Sequence, residues 1–402
     1  MARDWRLGID YGTSNTVAVL QWPDGRTRPL LFDGSPLLPS AVYLDNDGRL
    51  VLGRDAERSA RLDPARYEPN PKRRIDDGEV WLGDRGVPLV EIVAATLRLV
   101  AGEAARIAGQ VPRSVQITYP AAWGAVRRGT LLAAASQAAL PTPTLVPEPV
   151  AAAAYFASVL GHRVANGHHV VVYDLGAGTF DVSAVRRQPD GFTVSAVDGM
   201  DNFGGLDLDA VVVDQVGTKV PPEVWQRLTS PASSADRRHA RMLWDDARGV
   251  KESLSRQQTA TLHVPLAEVD VALGRAELEA GARNPLERAA RLTHGVIRDA
   301  RINEPDLAGL FLVGGSTRVP LVGSTVQHGV GIPPTVFEQP EIVVAEGALH
   351  AVRMATEPHT AGGALATAPM TPPTSPPGGP TSPLGAPTSP APVALFAAPA
   401  PT

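Results

Sequence analysis

Along most of the chain, short apolar runs alternate with longer stretches in which Ala, Leu and Val recur at helical spacing. The short runs predict strands at residues 6–9, 16–20, 115–119, 170–173, 182–185, 192–197 and 310–313. The longer stretches predict helices at 89–108, 125–138, 150–160, 206–216, 237–255, 275–283, 285–300 and 319–327. Strand and helix signals alternating in this way predict an α/β architecture. Beyond about residue 355 the pattern is lost. The remainder is Pro, Ala, Thr, Ser and Gly, with no charged residue after Glu357, and PTSP recurs at Pro373, Pro380 and Pro387. Proline at this density removes backbone donors and leaves little to pack, so residues 356–402 are expected to be a disordered tail of polyproline II character. A passive solubilising tail and a docking or phosphorylated segment that recruits proteins both fit it.

Two of the predicted hairpins echo each other. LGIDYGTSNTVAVL (7–20) and VVYDLGAGTFDVSAV (171–185) each run as an apolar strand ending in Asp, then x-Gly, a small-residue turn with Thr, and a second apolar strand. Superposing Asp10 on Asp174 also places Gly12 on Gly176. Such turns suit phosphate, because glycine admits close backbone approach and positive φ, and successive N–H groups then converge on an anion. Thr hydroxyls add donors. The leading carboxylates would repel phosphate unless a cation lay between them, and Mg²⁺ is commonly held by one or two carboxylates plus phosphate oxygens. One such turn alone is as readily an ordinary hairpin; the matched pair is what points to phosphate, and to two lobes with a ligand between them. A third cluster, Gly314-Gly315-Ser316-Thr317-Arg318, follows the apolar run GLFLV. It could let a flat ring lie on bare backbone with a guanidinium over its face, or be a plain strand–helix turn.

Composition narrows the field. A 402-residue chain can bury a sizeable core, and a formal charge of −5 argues against a sequence-independent grip on nucleic acid. No apolar run approaches the about 18–20 residues needed to span a bilayer, and the N-terminus reaches charged residues before any apolar segment. With no cysteine there is no disulfide or thiolate chemistry, and the nine histidines show no metal-ligand spacing; His168-His169 are expected in an exposed loop. A soluble cytoplasmic protein is expected. Almost all cationic residues are Arg; only Lys72, Lys219 and Lys251 are lysines.

GIDYGTSN, YDLGAGTFDVS and FLVGGSTRVP, in this order, resemble the two phosphate motifs and the adenosine motif of the seventy-kilodalton heat-shock chaperones (the DnaK type), within the actin and sugar-kinase superfamily. VPEPVAAAAYFA resembles the segment with that family's catalytic glutamate, and MDNFGGLDLD its lobe-crossing loop. The resemblance covers about residues 5–355. It implies an actin-like ATPase fold in which two lobes of duplicated mixed β-sheet, flanked by helices, surround a nucleotide cleft. The first lobe would span about 1–150 and the second about 151–335, with a final helix returning to the first.

The resemblance also implies roles. Gly12, Thr13, Ser14 and Asn15 would cradle the β- and γ-phosphates of ATP or ADP, facing Gly176, Ala177 and Gly178. Asp10 and Asp174 would anchor Mg²⁺ through water. Lys72 would neutralise the γ-phosphate, Glu148 would position the attacking water, and Thr179 would donate to the γ-phosphate with Asp181 beside it. Gly204 and Gly205 would form the crossing loop. Lys251 and Ser255 would contact ribose and adenine, and Gly314, Gly315, Ser316 and Arg318 would complete the adenine slot. Pro120 and Arg128 match the proline and arginine that relay nucleotide state in the family.

The chain departs from that pattern in places. Ala177 stands where the family has a glycine, and its methyl disfavours positive φ, so slow turnover is expected. Glu341 replaces a common Asp. The segment between Lys72 and the helix at 89 is shorter than in the family, and the Pro/Thr/Ser tail is expected in place of the usual β-sandwich and lid. The leading expectation is a heat-shock-type ATPase whose lobes close on ATP, with a partner or client protein responding to the change. The alternative is a nucleotide-dependent scaffold with little or no hydrolysis. The motifs around Glu148 and Gly204-Gly205 argue against a small-molecule kinase, and an actin-like filament is a further, less favoured option.

Overall fold

In the computed structural model, which describes residues 4–356, every strand expected from the apolar runs forms and extends by one to five residues. The tail expected from 356 onward lies, Thr356 apart, outside the described residues. The strands assemble into two sheets that repeat one topology. In the first, Thr144–Pro147, Ser114–Tyr119 and Arg6–Tyr11 run parallel, then Asn15–Gln21 and Thr27–Pro29 follow antiparallel. In the second, Thr335–Val336, Leu307–Val313 and His169–Leu175 run parallel, then Phe180–Gln188 and Gly191–Met200 follow antiparallel. The echo between the two hairpins is thus one part of a duplicated sheet.

Both sheets are covered on both faces, which is why their central strands read as continuous apolar runs rather than alternating ones. Leu7, Ile9, Ala18 and Leu20 pack beneath the helices Leu89–Ala108 and Ala125–Gln137. Val171, Tyr173 and Val182 pack beneath Gly205–Gly217 and Arg275–Asp299. Between the sheets lie two further helices, Glu148–Ser158 and Val343–Thr356, packed on each other and on both sheets. Their alanines and glycine (Ala151, Ala152, Ala345, Gly347) permit that close approach. The strand ends that carry Asp10 and Asp174 therefore face one another.

Two expectations about the fold fail. His169, expected with His168 in an exposed loop, is the buried first residue of the strand His169–Leu175. Instead of two helices flanking Asn284, a single helix runs Arg275–Asp299 with Pro285 inside it. A mid-helix proline costs on the order of 3 kcal/mol, partly because its ring presses on the carbonyl four residues earlier. Leu278, Ala282, Leu286 and Ala289 form an unbroken buried stripe across it, and that burial offsets the cost. Elements too short for periodicity to reveal were missed: the helices Gly53–Ser59 and Pro222–Thr229, and the hairpins Glu79–Leu82/Arg85–Pro88 and Thr259–Val264/Val269–Gly274. Among the described residues no helix is long and apolar enough to cross a membrane.

Candidate nucleotide site

A cleft of about 850 Å³ opens between the two sheets, and most of the residues singled out in the sequence line it. The first hairpin turn, Gly12–Asn15, forms one wall. A Cβ on Gly12 would overlap the Asn15 carbonyl oxygen, so the turn closes only with glycine there. Its outer side is fixed by Ser40, whose Oγ donates to the Gly12 carbonyl at 2.9 Å and whose N–H donates to the Ser14 carbonyl at 2.9 Å. The Ser14 hydroxyl donates to Asn70 Oδ1 (3.0 Å), tying this turn to the segment that carries Lys72.

The opposite wall is the second turn, closed by the Gly176 N–H donating to the Thr179 carbonyl at 3.0 Å. Neither Gly176, Ala177 nor Gly178 adopts positive φ. The methyl of Ala177 therefore costs the turn no backbone strain, contrary to expectation. The turn leans on the start of the helix Gly205–Gly217, where the Gly205 and Leu206 N–H groups donate to the Gly176 and Ala177 carbonyls (2.9 and 2.8 Å). Gly204 packs behind this wall against the Ala177 and Gly178 backbone, and Gly178 is covered from the cleft by Thr13 and Arg73, so neither lines it. The third cluster closes the same corner. Gly314 has φ +85°, and a Cβ there would overlap the Leu175 carbonyl oxygen, while Ser316 Oγ donates to the Gly176 carbonyl at 2.9 Å.

Charge concentrates where the two hairpins meet. Lys72 Nζ lies 3.0 Å from Glu148 Oε1, with only 11% and 12% of the two side chains exposed. Trp123 supports the lysine from below, its ring centroid 5.4 Å from Nζ. Thr118 donates to Asp10 Oδ1 and Thr179 to Asp181 Oδ2, both at 2.9 Å. Burial pushes the pKa of Asp10, Asp174 and Asp181 up, for Asp174 well above the usual carboxylate range. Glu148 rises to about 7, because burial and the charges of Asp10 and Asp181 outweigh the attraction of Lys72. Burial works against protonation of Lys72, but Glu148, Asp10 and Asp174 overcome it and its pKa is raised. Four carboxylates thus share a buried pocket with one ammonium. Their excess negative charge is the feature that a divalent cation would relieve, so the residues present fit Mg²⁺. Among the described residues no three His, Asp or Glu side chains converge as a direct metal-ligand set.

The other end of the cleft is internally neutralised. Lys251 Nζ pairs with Asp209 Oδ1 at 2.7 Å and donates to the Gly205 carbonyl at 3.0 Å, with 11% and 3% of the Lys251 and Asp209 side chains exposed. Arg318 is gripped through Nε and Nη2 by Glu341 (2.8 and 2.9 Å), and Nη2 also donates to the Glu338 carbonyl. Gly315 lies alongside, and Ser255 lines the wall while its hydroxyl caps its own helix at the Lys251 carbonyl. Of the two relay residues, Pro120 lines the cleft; Arg128 does not, and its guanidinium sits 5.5 Å above the Tyr119 ring. The sequence reading missed Asp209 and Trp123. Asp209 follows Gly205 by one helical turn in GLDLD, and Trp123 follows Pro120 in the same short loop, so both were within reach of the motifs already noted.

A family description, Hsp70 protein, matches residues 78–357. The chain is 29% identical over 359 residues to chaperone protein DnaK of Thermotoga petrophila, covering 86% of this chain and 59% of that one. It is 30% identical over 362 residues to the DnaK of Halobacterium salinarum (87% and 55%) and 31% over 360 residues to that of Mycoplasmopsis pulmonis (87% and 58%). The chain spans little more than half the length of these relatives.

Proposed function

The chain belongs to the Hsp70 protein family, and from that premise we propose that it binds ATP with Mg²⁺ in this cleft, hydrolyses it, and passes the nucleotide state to a partner or client protein in the cytoplasm. The observation that carries the reading is the meeting of two Gly/Thr hairpins over the buried Lys72–Glu148 pair. Backbone amides of Gly12–Asn15 and Ala177–Thr179 would hold the β- and γ-phosphates, with Thr13 and Thr179 adding hydroxyl donors. Asp10 and Asp174 would hold the cation through its water ligands; when bound, it neutralises the charge that spreads over the phosphate oxygens in phosphoryl transfer.

Lys72 directs its ammonium at the terminal phosphate. Glu148 orients water for in-line attack and accepts a proton as it adds, a role suited to a carboxylate whose pKa lies near neutrality. The adenosine would lie at the neutralised end, against Gly315 and the fixed guanidinium of Arg318. Closing the lobes on the ligand and releasing them after hydrolysis is a hinge transition of the kind the shared interlayer helices permit.

Single-turnover hydrolysis and equilibrium binding by wild type and Glu148→Gln test this. The variant is expected to bind Mg²⁺·ATP within about threefold of wild type and to hydrolyse it about 100-fold or more slowly. Equal hydrolysis by the two proteins, or no measurable nucleotide binding by wild type, would refute the proposal. Ala177, which strains nothing, gives no support to the scaffold alternative.

A further inference from the structure

The 3₁₀ turn Pro71–Arg74 carries three consecutive cationic side chains that diverge, as neighbours at three residues per turn must, and Arg74 turns outward to pair with Asp77 at 2.6 Å. Lys72 turns down to Glu148. Arg73 instead crosses the cleft. Its Cδ and Cγ lie 3.3 and 3.5 Å from where a Cβ on Gly178 would sit, and Thr13 Cγ2 lies 3.1 Å from that same point. The Arg73 stem therefore rests between the two phosphate hairpins, attached to one sheet and lying against the turn of the other.

Its head group is uncommitted. Asp76, Asp181 and Asp201 line the same end of the cleft, yet the Arg73 guanidinium makes no hydrogen bond or ion pair among the described residues. Most other cations around the cleft are engaged: Lys72 with Glu148, Lys251 with Asp209, Arg248 with Glu252, Arg318 with Glu341, and Arg127 with Asp76 through two bonds of 2.9 and 2.6 Å; the exception, Arg256, is exposed beside Ser255 at the opposite, nucleoside end. Nor is the turn that presents Arg73 loose. Pro71 and Ile75 are buried on either side, the Arg73 N–H donates to the Asn70 carbonyl at 3.0 Å, and Asn70 is bonded to Ser14 of the first hairpin.

We propose that Arg73 is a further catalytic residue, one whose guanidinium grips the terminal phosphoryl group of a nucleoside triphosphate and so separates triphosphate from diphosphate. This rests on the reading of the cleft as an ATP site. A free guanidinium has no pair to break on binding, and its planar fork matches two phosphate oxygens where an ammonium offers one point of charge. Of the two phosphates the turns would hold, Arg73 would reach the terminal one, so a diphosphate would leave it without a partner. Loss of that bridge after hydrolysis removes a link between the two sheets, which ties phosphate release to lobe opening. Gly178 is kept bare by the same stem: a methyl there would meet Arg73 and Thr13 at once.

The test compares wild type, Arg73→Ala and Arg73→Lys for binding of Mg²⁺·ADP and of a non-hydrolysable ATP analogue, and for single-turnover ATP hydrolysis. Arg73→Ala is expected to weaken the analogue about tenfold or more, the worth of a charge-assisted hydrogen bond, while ADP stays within about twofold. Hydrolysis should fall by about 10- to 100-fold, with Arg73→Lys recovering more of the binding than of the rate. Equal weakening of ADP and analogue, or no change in either, would overturn the proposal. Because the side chain is exposed, the thermal midpoint serves as a check that folding is unaffected. If wild type binds both nucleotides but hydrolyses no ATP, the ATPase reading and the catalytic role of Arg73 fail, while the binding comparison still decides whether Arg73 separates triphosphate from diphosphate. If wild type binds no nucleotide, both readings fall together.

Discussion

The two ends of the cleft handle charge in opposite ways. At the phosphate end, Asp10, Asp174, Asp181 and Glu148 face a single buried ammonium, and every one of these carboxylates is held above its usual pKa by burial. At the nucleoside end, Lys251 with Asp209 and Arg318 with Glu341 cancel pairwise. The first arrangement stores unfavourable charge that a bound cation and phosphate would relieve. The second is complete before any ligand arrives, and offers a rigid wall instead. The same substitution, removal of one carboxylate, should therefore have opposite effects on the ligand-free protein at the two ends.

The largest effect is expected from Asp209→Ala. It leaves Lys251 buried without its counter-ion, and the loss of one partner from such a pair costs about 3–5 kcal/mol. Chemical denaturation should show the drop directly, and an unchanged midpoint would mean that the nucleoside end is not held by this pair. Next comes pH. Glu148 titrates near 7 in the folded protein against an ordinary value of 4.5. Between those values the folded state binds more protons than the unfolded chain, so stability falls as pH rises through this window. Glu148 alone contributes up to about 3 kcal/mol to that fall. Denaturation of the metal-free, nucleotide-free protein from pH 4.5 to 7.5 checks the sign. Glu148→Gln should flatten the profile, and a stability that climbs with pH in wild type would contradict the crowded-carboxylate picture.

Much of this was legible in the chain because the phosphate end is built from local sequence. Each hairpin is a contiguous strand–turn–strand, and Asp-x-Gly after an apolar run announces it. Lys72 in NPKRRI and Glu148 in VPEPV also stand out by their immediate neighbours. The nucleoside end is built from tertiary contacts. Lys251 was noticed, but its partner Asp209 sits on another helix, and nothing in either segment states that they meet. Arg318 was expected to be free to stack on a base, whereas Glu341, contributed by a later loop, fixes it. Ala177 and Pro285 show the converse limit. Residue preferences predicted a strained turn and a broken helix, and packing with an ordinary φ at one and a buried stripe at the other removed both effects.

Asp174→Asn probes the phosphate end with a smaller change. It removes a buried carboxylate whose charged form is disfavoured, so the ligand-free protein should gain roughly 1–2 kcal/mol at pH 7.5, the scale of an unmatched buried group. Stabilisation by Mg²⁺·ATP should shrink at the same time. Wild type in nucleotide at 100 times its Kd should gain about 2.7 kcal/mol, and the variant markedly less. A variant that is less stable without ligand would show that Asp174 is a structural group rather than a stored charge.

The smallest stability effect belongs to Arg318→Ala. Its pair with Glu341 is about half exposed on the arginine side, and such pairs contribute from nothing to about 1 kcal/mol. Folding should barely register the change, yet if the guanidinium is a rigid wall for a base, ATP and ADP affinity should fall by the same factor, about three- to tenfold. That symmetry separates it from Arg73→Ala, where only the triphosphate suffers. A loss confined to ATP on removing Arg318 would mean that its guanidinium contributes to phosphate recognition, and the division of the cleft into a charged end and a neutral end would fail.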